Sequence, residues 1–105
     1  MKYAPLSLVF LIASFSTSAA QQFGDPIIGE RKAPSCVYCH TKDGSPENSG
    51  YPHLNGQNAE YLYQSMKSYQ TGQRKGPLAE MMKAQLQKLN DLDLKDVAAF
   101  YAELP

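Results

Sequence analysis

Cys36-Val37-Tyr38-Cys39-His40 is the stretch on which the reading of this chain turns. Two thiols three positions apart can each add to one vinyl group of a haem edge, giving two thioether bonds. The histidine directly after the second thiol is then held under the iron as an axial ligand. In an exported chain the pattern C-x-x-C-H signals covalent haem attachment. Three other readings compete. A thioredoxin-like pair needs a βαβ setting, and the periodicity described below predicts helices only. A zinc site from Cys36, Cys39, His40 and His53 would use consecutive residues as ligands, which is awkward for a tetrahedral metal. A plain disulfide leaves a small core unexplained.

Upstream of the motif the chain carries an export pattern. Lys2 is followed by an apolar run through Leu6, Leu8, Val9, Phe10, Leu11 and Ile12, then by Ser16, Thr17, Ser18, Ala19 and Ala20. A charged start, an apolar core and small residues at the cut make a secretory signal peptide over residues 1–20, with Ser18 and Ala20 at the two small positions. The apolar core is shorter than the roughly 20 residues a membrane span needs. Cleavage after Ala20, export to the periplasm and no stable membrane anchor are the expectations.

Residues 21–105 then form one small domain. A chain of that size buries a modest fraction of its surface and often recruits a disulfide, a metal or a large cofactor as a staple. Two cysteines allow one disulfide at most. The ten Lys and Arg face ten Asp and Glu, and removing Lys2 leaves a net charge of −1. Without a basic excess to hold a phosphate backbone, nucleic-acid binding is excluded.

Four helices are predicted. The first covers residues 25–33, with Asp25 as cap, Pro26 at the first helical position and Pro34 closing it. Residues 41–57 hold Gly44, Pro46, Asn48, Gly50, Pro52 and Gly56 and form a long loop. The second helix covers residues 58–69, with Leu62, Met66 and Tyr69 on one face; the third covers residues 78–89, with Leu78, Met82, Leu86 and Leu89 on one face. The fourth starts at Asn90, with Asp93 completing a capping-box pair, and presents Leu94, Val97, Ala98 and Tyr101.

An iron held by one histidine has a second face. Met66, Met81, Met82 and His53 are candidates for it, and so is an open position. A Met/His pair favours reduced iron and implies electron transfer, whereas an open position implies catalysis or sensing. Met82 shares the apolar face of its helix, Met81 lines up with Gln85 and Lys88, and Met66 sits at a core position. Spacing favours Met82 without closing the choice.

The order of motifs resembles class I monohaem bacterial cytochromes c. Gly29 stands seven residues before Cys36, and Asp43-Gly44 follows the attachment motif. Pro52-His53-Leu54-Asn55-Gly56-Gln57 is similar to that family's P-x-L-x-G-Q loop. Asn58-Ala59-Glu60-Tyr61-Leu62, Gly72-Gln73-Arg74, Met81-Met82 and Asn90-Asp91-Leu92-Asp93-Leu94 continue in the same order. The likeness covers nearly all of residues 21–105 and is greatest to the short soluble cytochromes of the c-553 kind. It implies an all-α fold of about four helices around one covalent haem c, anchored by Cys36 and Cys39. It implies His40 as proximal ligand, Met82 as distal ligand with Met81 the alternative, and the Pro52 carbonyl accepting a hydrogen bond from His40. Thr41 departs from the glycine that commonly follows the attachment histidine, and His53 occupies a variable position.

The function implied is outer-sphere electron transfer in the periplasm, with redox proteins as donor and acceptor and no general acid, base or nucleophile. A haem enzyme or gas sensor with an open distal site, and a haem subunit of a larger dehydrogenase, are the alternatives. Of the seven tyrosines, some are expected to wall the haem and others to pack the termini together. Phe100 and Tyr101 are expected to pack on the first helix through Ile27 or Ile28. Arg74, Lys75 and Lys83 fall on the methionine side; with acidic residues equally numerous a solvated, mixed-charge surface is the expectation, and steering of an acidic partner past an exposed haem edge is the alternative.

Overall fold

The computed structural model describes residues 2, 14, 23–43 and 50–105. The expected signal peptide, apart from Lys2 and Ser14, lies outside the described residues, as do the cut after Ala20 and residues 44–49 of the long loop.

Among the described residues the chain forms five helices and no strand. These are α1 (Pro26–Lys32), α2 (Pro34–His40), α3 (Ala59–Gln70), α4 (Pro77–Leu86) and α5 (Asp91–Glu103). The helix beyond the four expected is α2, which carries the cysteine motif. Its seven residues are too few to show an apolar period. Pro34 does not close α1 but opens α2, at the first position, where its missing N–H costs nothing. Ala33 alone separates the two helices.

Caps account for the remaining boundaries. The Asp25 carboxylate accepts from the N–H groups of Ile27 and Ile28 and starts α1. The Asn58 side chain accepts from Tyr61 N–H and starts α3. At α5 both halves of a capping box are present: Asn90 accepts from Asp93 N–H at 2.8 Å, and Asp93 accepts from Asn90 N–H at 2.9 Å. Such a cap stabilises a helix by about 1 kcal/mol. The third predicted helix is shorter than expected, ending at Leu86 rather than Leu89. There the Gln70 amide donates to the carbonyls of Leu86 and Leu89, at 2.9 and 3.0 Å, and satisfies the chain as it leaves the helix.

The core gathers Leu62 and Met66 from α3, Leu86 from α4, and Leu94, Val97, Ala98, Phe100 and Tyr101 from α5. α5 is the hub, because α1 and α3 both pack on it, and α4 joins through α3. The expected contact between the terminal helices is present and includes Phe100, but on the α1 side it centres on Gly29 rather than on Ile27 or Ile28. Ile27 and Ile28 are exposed. Gly29 is buried, and a Cβ there would fall inside the Asp96 carbonyl and against the Phe100 Cβ. Backbone thus lies on backbone, an approach only glycine permits.

A buried carboxylate locks this crossing. Asp96 is 3% exposed. It accepts from Asp25 N–H at 2.9 Å and from Lys32 Nζ at 2.8 Å, and Lys32 also reaches Asp93 at 2.6 Å. Burial pushes the Asp96 carboxyl up, but these two donors outweigh it and hold its pKa below the ordinary carboxylate value.

Candidate functional site

Helical spacing sets out the motif. Cys36, Cys39 and His40 stand at i, i+3 and i+4 on α2 and share one face. All three line a cavity of about 240 Å³. Tyr38, between the cysteines in sequence, is 90% exposed. Both cysteines are half-buried free thiols, and burial pushes the Cys36 thiol up against the opposing effect of the Ser35 hydroxyl.

His40 is 6% exposed and fixed in orientation. Its Nδ1 lies 2.8 Å from the Pro52 carbonyl oxygen, which can only accept, so Nδ1 carries the proton and Nε2 keeps its lone pair. The Tyr51 ring meets the imidazole edge-on, with centroids 6.3 Å apart. The loop bearing Pro52 is itself held. Asn55 Nδ2 donates to the Lys42 carbonyl at 2.5 Å, and Gly56 N–H donates to the Tyr101 carbonyl at 2.9 Å.

Thr41, directly after His40, has φ +61° and ψ 168°, a backbone conformation that favours glycine. The chain therefore makes the turn usual for a glycine there with a β-branched residue instead. Its hydroxyl is buried without a hydrogen-bond partner among the described residues.

The other walls come from α3, α4 and α5. Met82 is half-buried, lines the cavity and packs against the core. Met81 also reaches the cavity but is 43% exposed. Met66 is buried in the core and forms part of the floor. Leu78, predicted on the apolar face, is 50% exposed at the rim. His53 is exposed and also borders the opening.

Residues 29–105 match the family model described as Cytochrome c. The chain belongs to the cytochrome c family. It is 47% identical over 79 residues to cytochrome c-554(548) of Halomonas halodenitrificans, covering 75% of this chain and 95% of that one. It is 37% identical over 86 residues to cytochrome c4 of Pseudomonas aeruginosa, covering 82% of this chain and 41% of that longer relative. In structure it is similar to the reduced recombinant cytochrome c4 of Pseudomonas stutzeri, with a TM-score of 0.65 and 22% identity over 86% of this chain and 55% of that one. The helices are those of the class I cytochrome c fold.

Cytochromes c carry covalently attached haem c and move electrons between redox proteins; they are electron carriers, not enzymes. The cavity of this cytochrome c suits that cofactor on its own geometry. Its lining is mainly apolar, through Leu54, Leu62, Met66, Leu78, Val97 and Ala98. Two thiols, a ring nitrogen with a free lone pair and a thioether sulfur all reach it. No group of three or more His, Cys, Asp or Glu among the described residues is placed to hold a metal ion. No helix among them is long and apolar enough to cross a membrane.

The sequence leads to an expectation of tyrosines in the wall without saying which, and leaves Ser65 and Arg74 unassigned. Tyr61, Ser65 and Tyr69 stand four residues apart on α3 and line the cavity with Arg74. Their spacing is visible, but the apolar stripe of Leu62, Met66 and Tyr69 dominates the pattern of that helix. Tyr101 lines the cavity from α5, and its buried hydroxyl has no hydrogen-bond partner among the described residues. Burial pushes this phenol far above its ordinary pKa, with Cys36 and Cys39 adding to the shift. Tyr63 serves elsewhere. It donates to the Asp91 carboxylate at 2.7 Å and meets the Phe23 ring edge-on at 5.6 Å, tying residue 23 to the helices.

Proposed function

We propose that this cytochrome c is a periplasmic electron carrier whose iron is held by His40 Nε2 and Met82 Sδ, with Cys36 and Cys39 as the thioether anchors. The observation that carries the reading is convergence: these four side chains, from α2 and α4, line one cavity. When bound, the haem supplies a one-electron Fe(III)/Fe(II) couple. The protein's part is to hold the ligands and exclude water. The Pro52 carbonyl keeps the His40 ring in the tautomer that offers Nε2, and such a bond raises the basicity of the ligating nitrogen. A thioether opposite an imidazole raises the reduction potential.

Burial supports Met82 over Met81, since Met82 packs against the core while Met81, though it reaches the cavity, is 43% exposed. The signal-peptide pattern of residues 1–20 supports export and cleavage, leaving a chain free to meet its donor and acceptor.

A visible spectrum of the exported protein beside Met82→Ala and Met81→Ala tests the reading. Met82→Ala is expected to lose the weak methionine–iron charge-transfer band of the oxidised form and to bind CO rapidly when reduced, while Met81→Ala keeps the wild-type spectrum. An unchanged oxidised spectrum for Met82→Ala would show the distal assignment to be wrong.

A further inference from the structure

The residues directly after His40 are strained and yet held. Thr41 stands at φ +61°, a conformation that only the surroundings can impose on a β-branched residue. Its N–H donates to the Val37 carbonyl at 2.9 Å, closing α2. The next residue is pinned from several sides. Lys42 Nζ lies 2.6 Å from the Glu30 carboxylate and 5.8 Å from the centre of the Phe100 ring. The Lys42 backbone carbonyl accepts from Asn55 Nδ2 at 2.5 Å.

Two bonds therefore join the same two stretches of chain. His40 Nδ1 donates to the Pro52 carbonyl, and three residues further along the loop Asn55 donates back to the residue two beyond His40. The first bond touches the iron ligand, and the second fixes the gap across which the first is made. Pro52 is exposed and, as a proline, has no N–H by which to be held. The place of its carbonyl is thus set by what anchors the loop around it.

Asn55 is an unfavourable residue to bury there unless its donor matters. Its Oδ1 is buried with no hydrogen-bond partner among the described residues. An unpaired buried carbonyl destabilises a fold, and an aliphatic side chain of similar size would avoid the loss. What the amide supplies instead is Nδ2, and that group is committed to the Lys42 carbonyl.

We propose that Asn55 is a positioning residue for the iron's histidine: it keeps the Pro52 carbonyl on His40 Nδ1, and thereby holds Nε2 basic and the iron biased toward Fe(III). The proposal rests on the haem reading above. A hydrogen bond from Nδ1 to a carbonyl pushes electron density toward Nε2, and a stronger donor favours the more highly charged metal. Release of Asn55 lets the loop drift from residue 42, opens the Nδ1 bond more often and tips the couple toward Fe(II).

The test uses isotope-labelled holoprotein in its diamagnetic Fe(II) state. NMR follows solvent exchange of the His40 Nδ1 proton beside that of the buried Ala99 and Phe100 amides of α5, and spectroelectrochemistry gives the potential. In Asn55→Ala the Nδ1 proton is expected to exchange about fivefold faster, the scale set by loss of one side-chain hydrogen bond, while the α5 amides change less. The Fe(II)/Fe(III) ratio at fixed potential should rise about twofold, which is about 18 mV for one electron at about 59 mV per tenfold. Asn55→Gln keeps a donor on a longer arm. It should fall between wild type and Asn55→Ala in both readouts, and it carries the same comparison should Asn55→Ala fail to mature.

An Nδ1 proton that exchanges as in wild type, or speeds only in step with the α5 amides, overturns the proposal, because a merely structural bond loosens the whole fold alike. Faster exchange with an unmoved or lowered potential also overturns it, since the histidine would then be freed without consequence for the iron. The visible spectrum separates the two levels of argument. A normal haem c spectrum without these shifts defeats the role of Asn55 alone, and a wild-type chain without covalent haem defeats the reading beneath it.

Discussion

Where α1 crosses α5, backbone lies on backbone, and a single buried carboxylate draws together Asp25, Lys32 and the last helix. Where α3 and α4 border the cavity, the wall is made of side chains, and several of them, Tyr61, Leu78 and Met81, stay substantially exposed. The crossing is complete in protein atoms alone. The wall is shaped to lie against something else. Substitutions at the crossing should therefore act on the fold and leave the iron's properties alone, and substitutions in the wall should do the reverse.

The harshest challenge to this division is Gly29→Val, which forces a side chain into the Asp96 carbonyl. The crossing has no room to give, and a loss of about 3 kcal/mol is expected, as for severe overpacking. Chemical denaturation of the holoprotein measures it, and the folded fraction should keep a wild-type haem spectrum. A changed spectrum would mean that the crossing and the site are coupled after all.

Asp96→Asn should cost about 2 kcal/mol at neutral pH, the scale of hydrogen bonds to a charged group. The pH dependence has a definite sign. The Asp96 pKa is lowered in the folded state, so its contribution is complete above the unfolded carboxylate value of about 3.9 and is lost as pH falls through the folded value. Thermal melts should show wild type and Asp96→Asn differing most near neutrality and converging in acid. A constant gap at all pH values would point to packing rather than charge.

In the wall, Leu78→Ala should change stability by less than about 0.5 kcal/mol, because the side chain is already half in solvent. Its effect should appear as faster reduction of the iron by a small reagent. Comparably small, and opposite in sign, is Thr41→Gly. Relief of a positive φ is worth about 1–3 kcal/mol, and the extra freedom of glycine in the unfolded chain returns roughly 0.5–1 kcal/mol. A gain of about 0.5 kcal/mol in unfolding free energy is expected from denaturant titration, and a loss would mean that the Thr41 side chain supports His40.

The parts of this structure legible in the sequence are those governed by near neighbours. Asn58 and Asn90 mark helix starts because a cap acts within three residues, and the cysteine motif is legible because its chemistry is confined to five. α2 is hidden because a seven-residue helix offers no period, and because proline both ends one helix and begins the next. The Asp96–Lys32 pair is a contact between residues 64 apart, and an acidic residue on a helix looks like a surface residue until its partner is placed. Ile27 and Ile28 draw attention as the apolar residues of α1, while the contact belongs to Gly29, whose contribution is the absence of a side chain. The cavity lining is half visible. Met82 follows from its stripe, but Ser65 and Arg74 are polar and exposed by type, and only the turn after α3 brings them together.

The bond from Gly56 N–H to the Tyr101 carbonyl has a reach beyond the loop it closes. Gly56 lies four residues from Pro52, whose carbonyl sets the angle of the His40 ring. Helix α5 is thereby harnessed to the imidazole. Fraying of the last turn would slacken that tether, let the ring swivel, and register as a broadened or drifting spectrum while the rest of the molecule stood intact. In this protein the last helix, α5, reaches through one backbone bond to the setting of the His40 ring.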